Sequence, residues 1–280
     1  MANDSIVAPK GFLAAGVCCG VKRSGKLDLG LLVCPDGAAA AAVFTTNKVV
    51  SQAVQVCRRH LAGGKVRAIV VNSGNANTCT GQKGINDAVA MCSATAKQIK
   101  ADPHEVLIAS TGIIGEPLPI AKIKAGIPKA AAKLSSSASA GLSFAKAIMT
   151  TDTKPKQAAR RLQVSGTEVT IAGTVKGAGM IAPNMATTLC FLTTDAAIDS
   201  KLLATALKDA MGESLNRLTV DGHQSTNDTA ILLASGAVGH RPITSRCPRY
   251  RRYAKTLSQV CDDLARQMAL DAEGAGRIFR

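Results

Sequence analysis

Short apolar runs alternate along this chain with longer segments of helical periodicity. Residues 65–72, KVRAIVVN, form a continuous aliphatic run of strand length that leads into a polar, glycine-containing stretch, NSGNANTCTG. The next segment places apolar residues at helical spacing, namely Ile85, Val89, Cys92, Ala96 and Ile99. Strands that alternate with amphipathic helices are typical of a sheet covered by helices, and no repeat of fixed period is present. The sequence therefore predicts a layered α/β fold.

The same patterns predict the other elements. Strands are expected at 105–110, 167–175, 189–195 and 217–222, and a helix end followed by a loop at 129–140. Asp199 is positioned to cap a helix, and Asp228 to cap a second one over the apolar run that follows it. A last amphipathic helix is marked by Leu257, Val260, Cys261, Leu264 and Met268.

Composition limits the kind of core that the chain can form. Of its 280 residues, 46% are hydrophobic but only 2% are aromatic, so the core must consist of small and aliphatic side chains. The length allows either two subdomains or one large domain. No apolar stretch approaches the roughly 20 residues that span a bilayer, and the first residues, MANDSIVAPK, lack a signal pattern. We therefore expect a soluble, cytoplasmic protein.

The nine cysteines favour neither a disulfide framework nor a zinc site, because their number is odd and no CxxC pattern recurs. Most are expected to act as small buried hydrophobes. The formal charge is +15, and residues 240–255 concentrate arginines around two tyrosines. That segment could bind phosphates with stacking rings, or it could be a solvated loop ahead of a helix. The lack of a nucleic-acid-binding motif favours the solvated loop.

Residues 176–195, KGAGMIAPNMATTLCFLTTD, place a threonine pair after a glycine-rich bend and a proline. No G-x-S-x-G elbow or phosphate-binding glycine loop accompanies the few histidines. A threonine becomes a competent nucleophile when it starts a chain, because its own α-amine, with a pKa of about 7.7–8.0, can take the hydroxyl proton. Small Ala186 before Thr187 suits an acyl shift at that bond. Threonines at strand starts are more often structural, so the residues alone leave both interpretations open.

Several motifs together resemble those of the ornithine acetyltransferase family of arginine biosynthesis (glutamate N-acetyltransferase, ArgJ). They are KGAGMIAPNMATT, STGIIG, NSGNANTCTG, IMTTDTKPK, VDGHQSTNDT and GFLAAGVCCGVKRSGKLDLGLL, and they run in the family's order from about residue 10 to 276. The resemblance implies an α-β-β-α-type sandwich, incomplete at the C-terminus. It also implies self-cleavage between Ala186 and Thr187, giving an α chain of 1–186 and a β chain of 187–280.

By the same resemblance, Thr187 would carry an acetyl group from N-acetylornithine to glutamate, and some members also use acetyl-CoA. Neither a cofactor nor a metal is implied, and the expected assembly is an α/β heterotetramer. Thr111 and Gly112 would form the oxyanion hole. The implied substrate-binding residues are Thr153, Lys176, Thr187 and Glu273. Plainer roles remain open, with Lys176 as a solvated lysine, Thr153 as a helix N-cap, and Thr111 and Gly112 as an ordinary turn.

Two departures from the family pattern leave alternatives. Thr188 stands where the family usually has methionine, and family members continue with further strands beyond the position of Arg280. A truncated, catalytically inactive subunit is therefore one alternative. An aminopeptidase of related fold with an N-terminal nucleophile is another.

Overall fold

The computed structural model describes residues 4–183 and 188–277. Within these ranges the strands are β1 (Leu13–Val17), β2 (Leu29–Phe44), β3 (Lys65–Asn75), β4 (Val106–Ile113), β5 (Lys156–Val164), β6 (Thr167–Lys176), β7 (Leu189–Thr194) and β8 (Thr229–Ala234). The helices are α1 (Gln52–Leu61), α2 (Gly81–Ile99), α3 (Ile120–Ala131), α4 (Ala138–Ile148), α5 (Ser200–Glu213) and α6 (Pro248–Leu270).

The described strands form one hydrogen-bonded sheet in the order β4-β3-β2-β8-β7-β6-β5, with β1 paired to β2. Strands β3 and β4 run parallel, as do β7 and β8, and the other pairs are antiparallel. The long strand β2 joins the two halves of the sheet. Its first part pairs with β1 and its second part with β8, and its register with β3 shifts between Val33 and Ala38.

Alternating side chains of β7 divide between two hydrophobic clusters. Leu189 and Phe191 belong to the cluster formed with helices α1 to α4, whereas Cys190 and Leu192 belong to the cluster formed with α5 and α6. The period of two along a strand is what a sheet covered on both faces requires. The predicted layered α/β class is therefore confirmed.

Small residues allow the helices to approach the sheet closely. A Cβ atom on Gly173 of β6 would lie 2.9 Å from Leu264 Cδ1 of α6, and one on Gly30 of β2 would lie 3.0 Å from the Phe144 ring of α4. Phe144 also meets Phe191 edge to face, with ring centroids 5.5 Å apart. Dense packing of this kind needs few aromatic side chains, which agrees with the composition.

Most of the predicted elements are present, and Asp199 caps α5 by accepting hydrogen bonds from the backbone of Lys201 and Leu202. Two predictions were wrong. The run after Asp228 is strand β8 rather than a helix, because it lies between β2 and β7 and pairs with both. The expected strand at 217–222 is the end of a short 3-10 helix (Leu215–Arg217) and a loop. In the loop, the N–H groups of Val220, Asp221 and Gly222 all point to the carbonyl of Ile181.

The basic segment is a loop followed by the start of α6, as the solvated-loop interpretation predicted. Tyr250 and Tyr253 are buried, so they offer no stacking surface for bases. Arg249 and Arg252 donate hydrogen bonds to Ser165 and to the carbonyl of Gln163. All nine cysteines are free, and five are buried. None of the helices in 4–183 and 188–277 has the length and apolar character needed to cross a bilayer.

Candidate active site

Lys176 is the last residue of β6 and its side chain is buried, with 2% of its surface exposed. Its ammonium donates a hydrogen bond of 3.3 Å to the Thr150 hydroxyl. Burial lowers the pKa of Lys176, while the nearby carboxylates of Asp152 and Asp228 act in the opposite direction. A lysine of this kind is not the solvated residue that a plain interpretation allowed. A buried ammonium with three donors and one long hydrogen bond among the described residues can bind an anionic group.

Thr153 is held by a carboxylate from the end of α6. Its backbone N–H donates to Asp271 Oδ2 at 3.1 Å, and its hydroxyl donates to Asp271 Oδ1. No helix begins at this position, so the interpretation of Thr153 as an N-cap was wrong. The hydroxyl oxygen can still accept a hydrogen bond from a ligand.

A buried ion-pair cluster, which sequence reasoning missed, joins these two regions. The Lys156 ammonium is fully buried and lies 2.5 Å from both Asp152 Oδ1 and Asp271 Oδ2. Asp152 also accepts the N–H groups of Gly177 and Thr150. Burial raises the pKa of Asp152, but the charges of Lys156 and Lys176 outweigh it and leave that pKa below its usual value. Only the TTDTKPK motif hinted at this cluster, through the spacing of its acidic and basic residues.

Glu273 follows α6 and is exposed. Its backbone N–H donates to the carbonyl of Ala178 at 2.8 Å, and its carboxylate lies against Gly179, where an added Cβ would be 2.5 Å from Oε2. Its charge favours the protonated form of Lys176. Because Asp271 holds Thr153 two residues earlier, the structure brings Thr153, Lys176 and Glu273 to one region.

An open cleft of about 550 Å³ borders Glu273. It is formed by the loop 217–220, Ile181, the last turn of α6 and the residues that follow α6. Of the predicted site residues that the structure describes, only Glu273 lines it. The cleft therefore adjoins the region at Glu273, and Lys176 does not line it.

Thr111 and Gly112 lie near the carboxyl end of β4, which continues to Ile113 instead of ending at residue 110. They pair with Ser73 and Gly74 of the parallel strand β3. Gly112 has a φ of 134°, and an added Cβ would lie 2.3 Å from the Gly74 carbonyl carbon. Only glycine fits here, because both the backbone conformation and the close approach exclude a side chain. Thr111 is buried and Gly112 is exposed.

Ala186 and Thr187 lie outside the described residues. Immediately after them in the chain, Thr188 donates its backbone N–H to Asp228 Oδ1 at 2.7 Å. Strand β7 begins at the next residue, Leu189, which pairs with Lys176 on one side and Thr229 on the other. The predicted cleavage point is thus separated by two residues, Thr187 and Thr188, from a strand that starts beside Lys176.

The loop that precedes the undescribed residues in the chain is also held by hydrogen bonds. Gly177 has a φ of 155°, which only glycine adopts readily. Further along, Met180 and Ile181 donate their backbone N–H groups to the carboxylate of Asp221. Backbone hydrogen bonds therefore hold the glycine-rich bend as far as Ile181.

Known structures define the class of this fold. The L-aminopeptidase D-Ala-esterase/amidase of Ochrobactrum anthropi, described as a new variant of the Ntn hydrolase fold, superposes with a TM-score of 0.59 at 14% identity. The likeness covers 98% of this chain and 88% of that chain, and at this identity it shows the fold alone. The described strands and helices thus share the fold of that protein.

The chain belongs to the ArgJ family, whose model matches residues 13–280. The arginine biosynthesis bifunctional protein ArgJ of Symbiobacterium thermophilum is 46% identical over 276 residues, which are 98% of this chain and 68% of that relative. The ornithine acetyltransferase of Mycobacterium tuberculosis, solved in complex with ornithine, is 40% identical with a TM-score of 0.61. That likeness covers 66% of this chain and 97% of the solved chain. The predicted family is therefore confirmed.

Proposed function

We propose that this chain is an acetyltransferase of arginine biosynthesis that moves acetyl from N-acetylornithine to glutamate through Thr187. The observation that carries the proposal is Lys176, a buried ammonium with spare donors beside the strand that follows Thr187. A substrate carboxylate supplies the missing acceptor. The name of the Mycobacterium tuberculosis relative, an ornithine acetyltransferase bound to ornithine, supports the same class of substrate.

Self-cleavage comes first in this proposal. The Thr187 hydroxyl attacks the carbonyl carbon of Ala186, the Thr187 nitrogen leaves as an amine, and water hydrolyses the resulting ester. The products are chains 1–186 and 187–280, with a free α-amine and hydroxyl on Thr187. The solved Mycobacterium tuberculosis chain supports this division, because a likeness over 97% of its length covers only two thirds of this chain. Residues 1–186 make up the same fraction.

Acetyl transfer then proceeds in two steps. The Thr187 hydroxyl attacks the acetyl carbonyl of N-acetylornithine, its proton passes by way of the α-amine to the leaving nitrogen, and ornithine departs. The amine of glutamate then attacks the acetyl ester and restores the hydroxyl. In both steps the Thr111 hydroxyl and the Gly112 N–H stabilise the negative oxygen. Acetyl-CoA could serve as the donor in the same first step, with a thiol as leaving group.

The amino-acid part of the substrate is bound by the other predicted residues. Lys176 binds the α-carboxylate, and Glu273 with the Thr153 oxygen binds the side-chain ammonium of N-acetylornithine, whose α-nitrogen carries the acetyl group. The buried pair of Lys156 with Asp152 and Asp271 keeps these residues in place. No step in this scheme requires a cofactor.

The two products remain associated because strands from both of them are paired in the same sheet. Strand β6 of the first product is hydrogen-bonded to β7 of the second, and β2 of the first to β8 of the second. Two copies of each product give the α/β heterotetramer that the family resemblance implies.

An assay with N-acetylornithine and glutamate tests the function. The wild-type chain is expected to form N-acetylglutamate, and Thr187→Ala is expected to abolish the reaction because the nucleophile is removed. Amino-acid amides are supplied in parallel. Hydrolysis of the amides without acetyl transfer would identify an aminopeptidase, and a folded wild-type protein without either activity would identify an inactive subunit.

A further inference from the structure

The turn formed by Thr226, Asn227 and Asp228 lies between the ends of β3 and β4 and the start of β7. All three residues are buried. The Asn227 side chain donates to the carbonyls of Ala76 and Ser110 at 2.6 and 2.8 Å. Its oxygen accepts from the hydroxyls of Thr78 and Thr226 at 2.7 and 2.6 Å. The amide thus uses both of its donors and both of its acceptor positions.

One of these bonds reaches the strand of the proposed oxyanion hole. Ser110 directly precedes Thr111 in β4, and its own hydroxyl donates to Asn72 of β3 at 2.7 Å. Asn227 therefore fixes the backbone one residue before Thr111 and also contacts the chain just after β3.

The next residue of the turn holds the other side of the site. Asp228 Oδ1 accepts the N–H of Thr188 at 2.7 Å, and the Thr229 N–H donates to the Thr188 carbonyl at 3.0 Å. The Thr188 nitrogen belongs to the peptide bond that joins it to Thr187. Burial raises the pKa of Asp228 well above its usual value, although the Thr188 N–H and the charge of Lys176 oppose this.

We propose that Asn227 and Asp228 are positioning residues, which set the place of Thr187 relative to Thr111 and Gly112 by binding Ser110 and Thr188 from adjacent positions. This inference rests on the proposed function. Nothing flexible separates the two contacts, since Asn227 and Asp228 are neighbours in the chain and both are buried. A displacement of about 1 Å between reacting groups can lower a rate roughly 100-fold, so such a link matters for both cleavage and transfer.

The test compares Asp228→Ala with Asp228→Asn and with Asp195→Ala. Asp195 is a matched control at the other end of β7: it is also buried, its pKa is also raised by burial, and it accepts the N–H groups of Lys10 and Thr170. Cleavage is followed by intact mass. Then kcat and KM are measured on the cleaved fraction of each variant.

Asp228→Ala is expected to slow cleavage and to lower kcat about 100-fold, with KM changed less than about threefold. Asp228→Asn is expected to recover most of the rate, because an amide oxygen also accepts the Thr188 N–H. Asp195→Ala is expected to lower thermal stability but to keep the wild-type kcat. Wild-type cleavage and kcat in Asp228→Ala would overturn the inference, and so would an equal loss of kcat in Asp195→Ala.

A second variant covers the case in which Asp228→Ala does not fold. Asn227→Asp keeps the shape of the side chain but replaces both donors to Ala76 and Ser110, and it is expected to lower kcat in the same way. A folded Asn227→Asp protein with unchanged cleavage and kcat would overturn the inference. If the wild-type chain neither cleaves nor transfers acetyl, the proposed function itself fails and the positioning role fails with it.

Discussion

At the scale of single residues, Lys176 is placed at a cost to stability. Its ammonium is removed from water, and among the described residues it has one long hydrogen bond in return. The pKa of Lys176 is lowered because burial outweighs the attraction of the nearby carboxylates. A group that is unfavourable in the free protein but complementary to an anion is typical of a binding site.

Replacing this lysine should therefore weaken substrate binding without lowering the stability of the fold. In Lys176→Met, the KM values for N-acetylornithine and glutamate are expected to rise about 10- to 100-fold, the factor for one lost charge-assisted hydrogen bond. The free energy of unfolding is expected to stay the same or to increase, because a buried charge is replaced by an apolar side chain. Steady-state kinetics and urea unfolding measure the two effects.

Lys129→Met, an exposed lysine on α3, is the control and is expected to change neither quantity. A Lys176→Met protein with wild-type KM and lower stability would show that the lysine is structural.

The site residues differ in how far the sequence could identify them. The motif positions Thr153, Lys176 and Glu273 do converge, yet only the family resemblance pointed to them, because periodicity contains no information on which loops meet. Lys156, Asp271 and Asp228 were missed for the same reason. Lys156 pairs with Asp271 across 115 residues, and Asp228 binds Thr188 across 40 residues. Asp228 was also wrongly expected to cap a helix.

At the scale of elements, α6 secures the edge strand β5. The Gln267 side chain exchanges two hydrogen bonds with the backbone of Gln157, which replaces a neighbouring strand at that point. Asp271, just after α6, pairs with Lys156 at the start of β5. This helix therefore connects the sheet edge with the residues around Thr153.

The Lys156 cluster should dominate the electrostatic stability of this region. Lys156→Met leaves two buried carboxylates without their shared partner and is expected to lower the free energy of unfolding by about 3–5 kcal/mol. Arg160→Met, on the same strand, breaks the partly exposed pair with Asp263 and is expected to cost about 0.2–1 kcal/mol. Urea unfolding in the Thr187→Ala background keeps every variant a single chain.

Asp152 and Asp271 determine how the stability of this region depends on pH. The pKa values of Asp152 and Asp271 are lowered in the folded protein, because Lys156 outweighs their burial. Their contribution to stability is therefore present above the pKa of an unfolded aspartate and is lost as the pH falls through the lower, folded values. If Lys156→Met and Arg160→Met lowered the free energy of unfolding equally at neutral pH, that result would contradict a stabilising buried ion pair at Lys156.

The elements that could be predicted are those with a clear period. Helices α2, α5 and α6 and strands β3, β4, β6 and β7 follow from local patterns. The run after Asp228 is too short and too uniformly apolar to distinguish a helix from a central strand, and its position between β2 and β7 decides the matter. The two arginines of β5 are typical of an exposed segment, and the packing of α6 against this strand is not visible in the local sequence.

At the scale of the whole molecule, the two proposed products share one sheet and two cores. Strands β7 and β8, from the second product, are inserted between β2 and β6 of the first. Cleavage at Ala186–Thr187 would therefore open the chain without separating its halves, and it would leave a new N-terminus one residue before Thr188, which Asp228 holds.

Intact-mass analysis of the purified protein tests this account most directly. The account predicts two species, 1–186 and 187–280, which elute together under native conditions and separate only when denatured. Thr187→Ala is predicted to give one species of full mass. A wild-type chain that is folded and stays uncleaved over days would contradict the account, as would cleavage at any other bond.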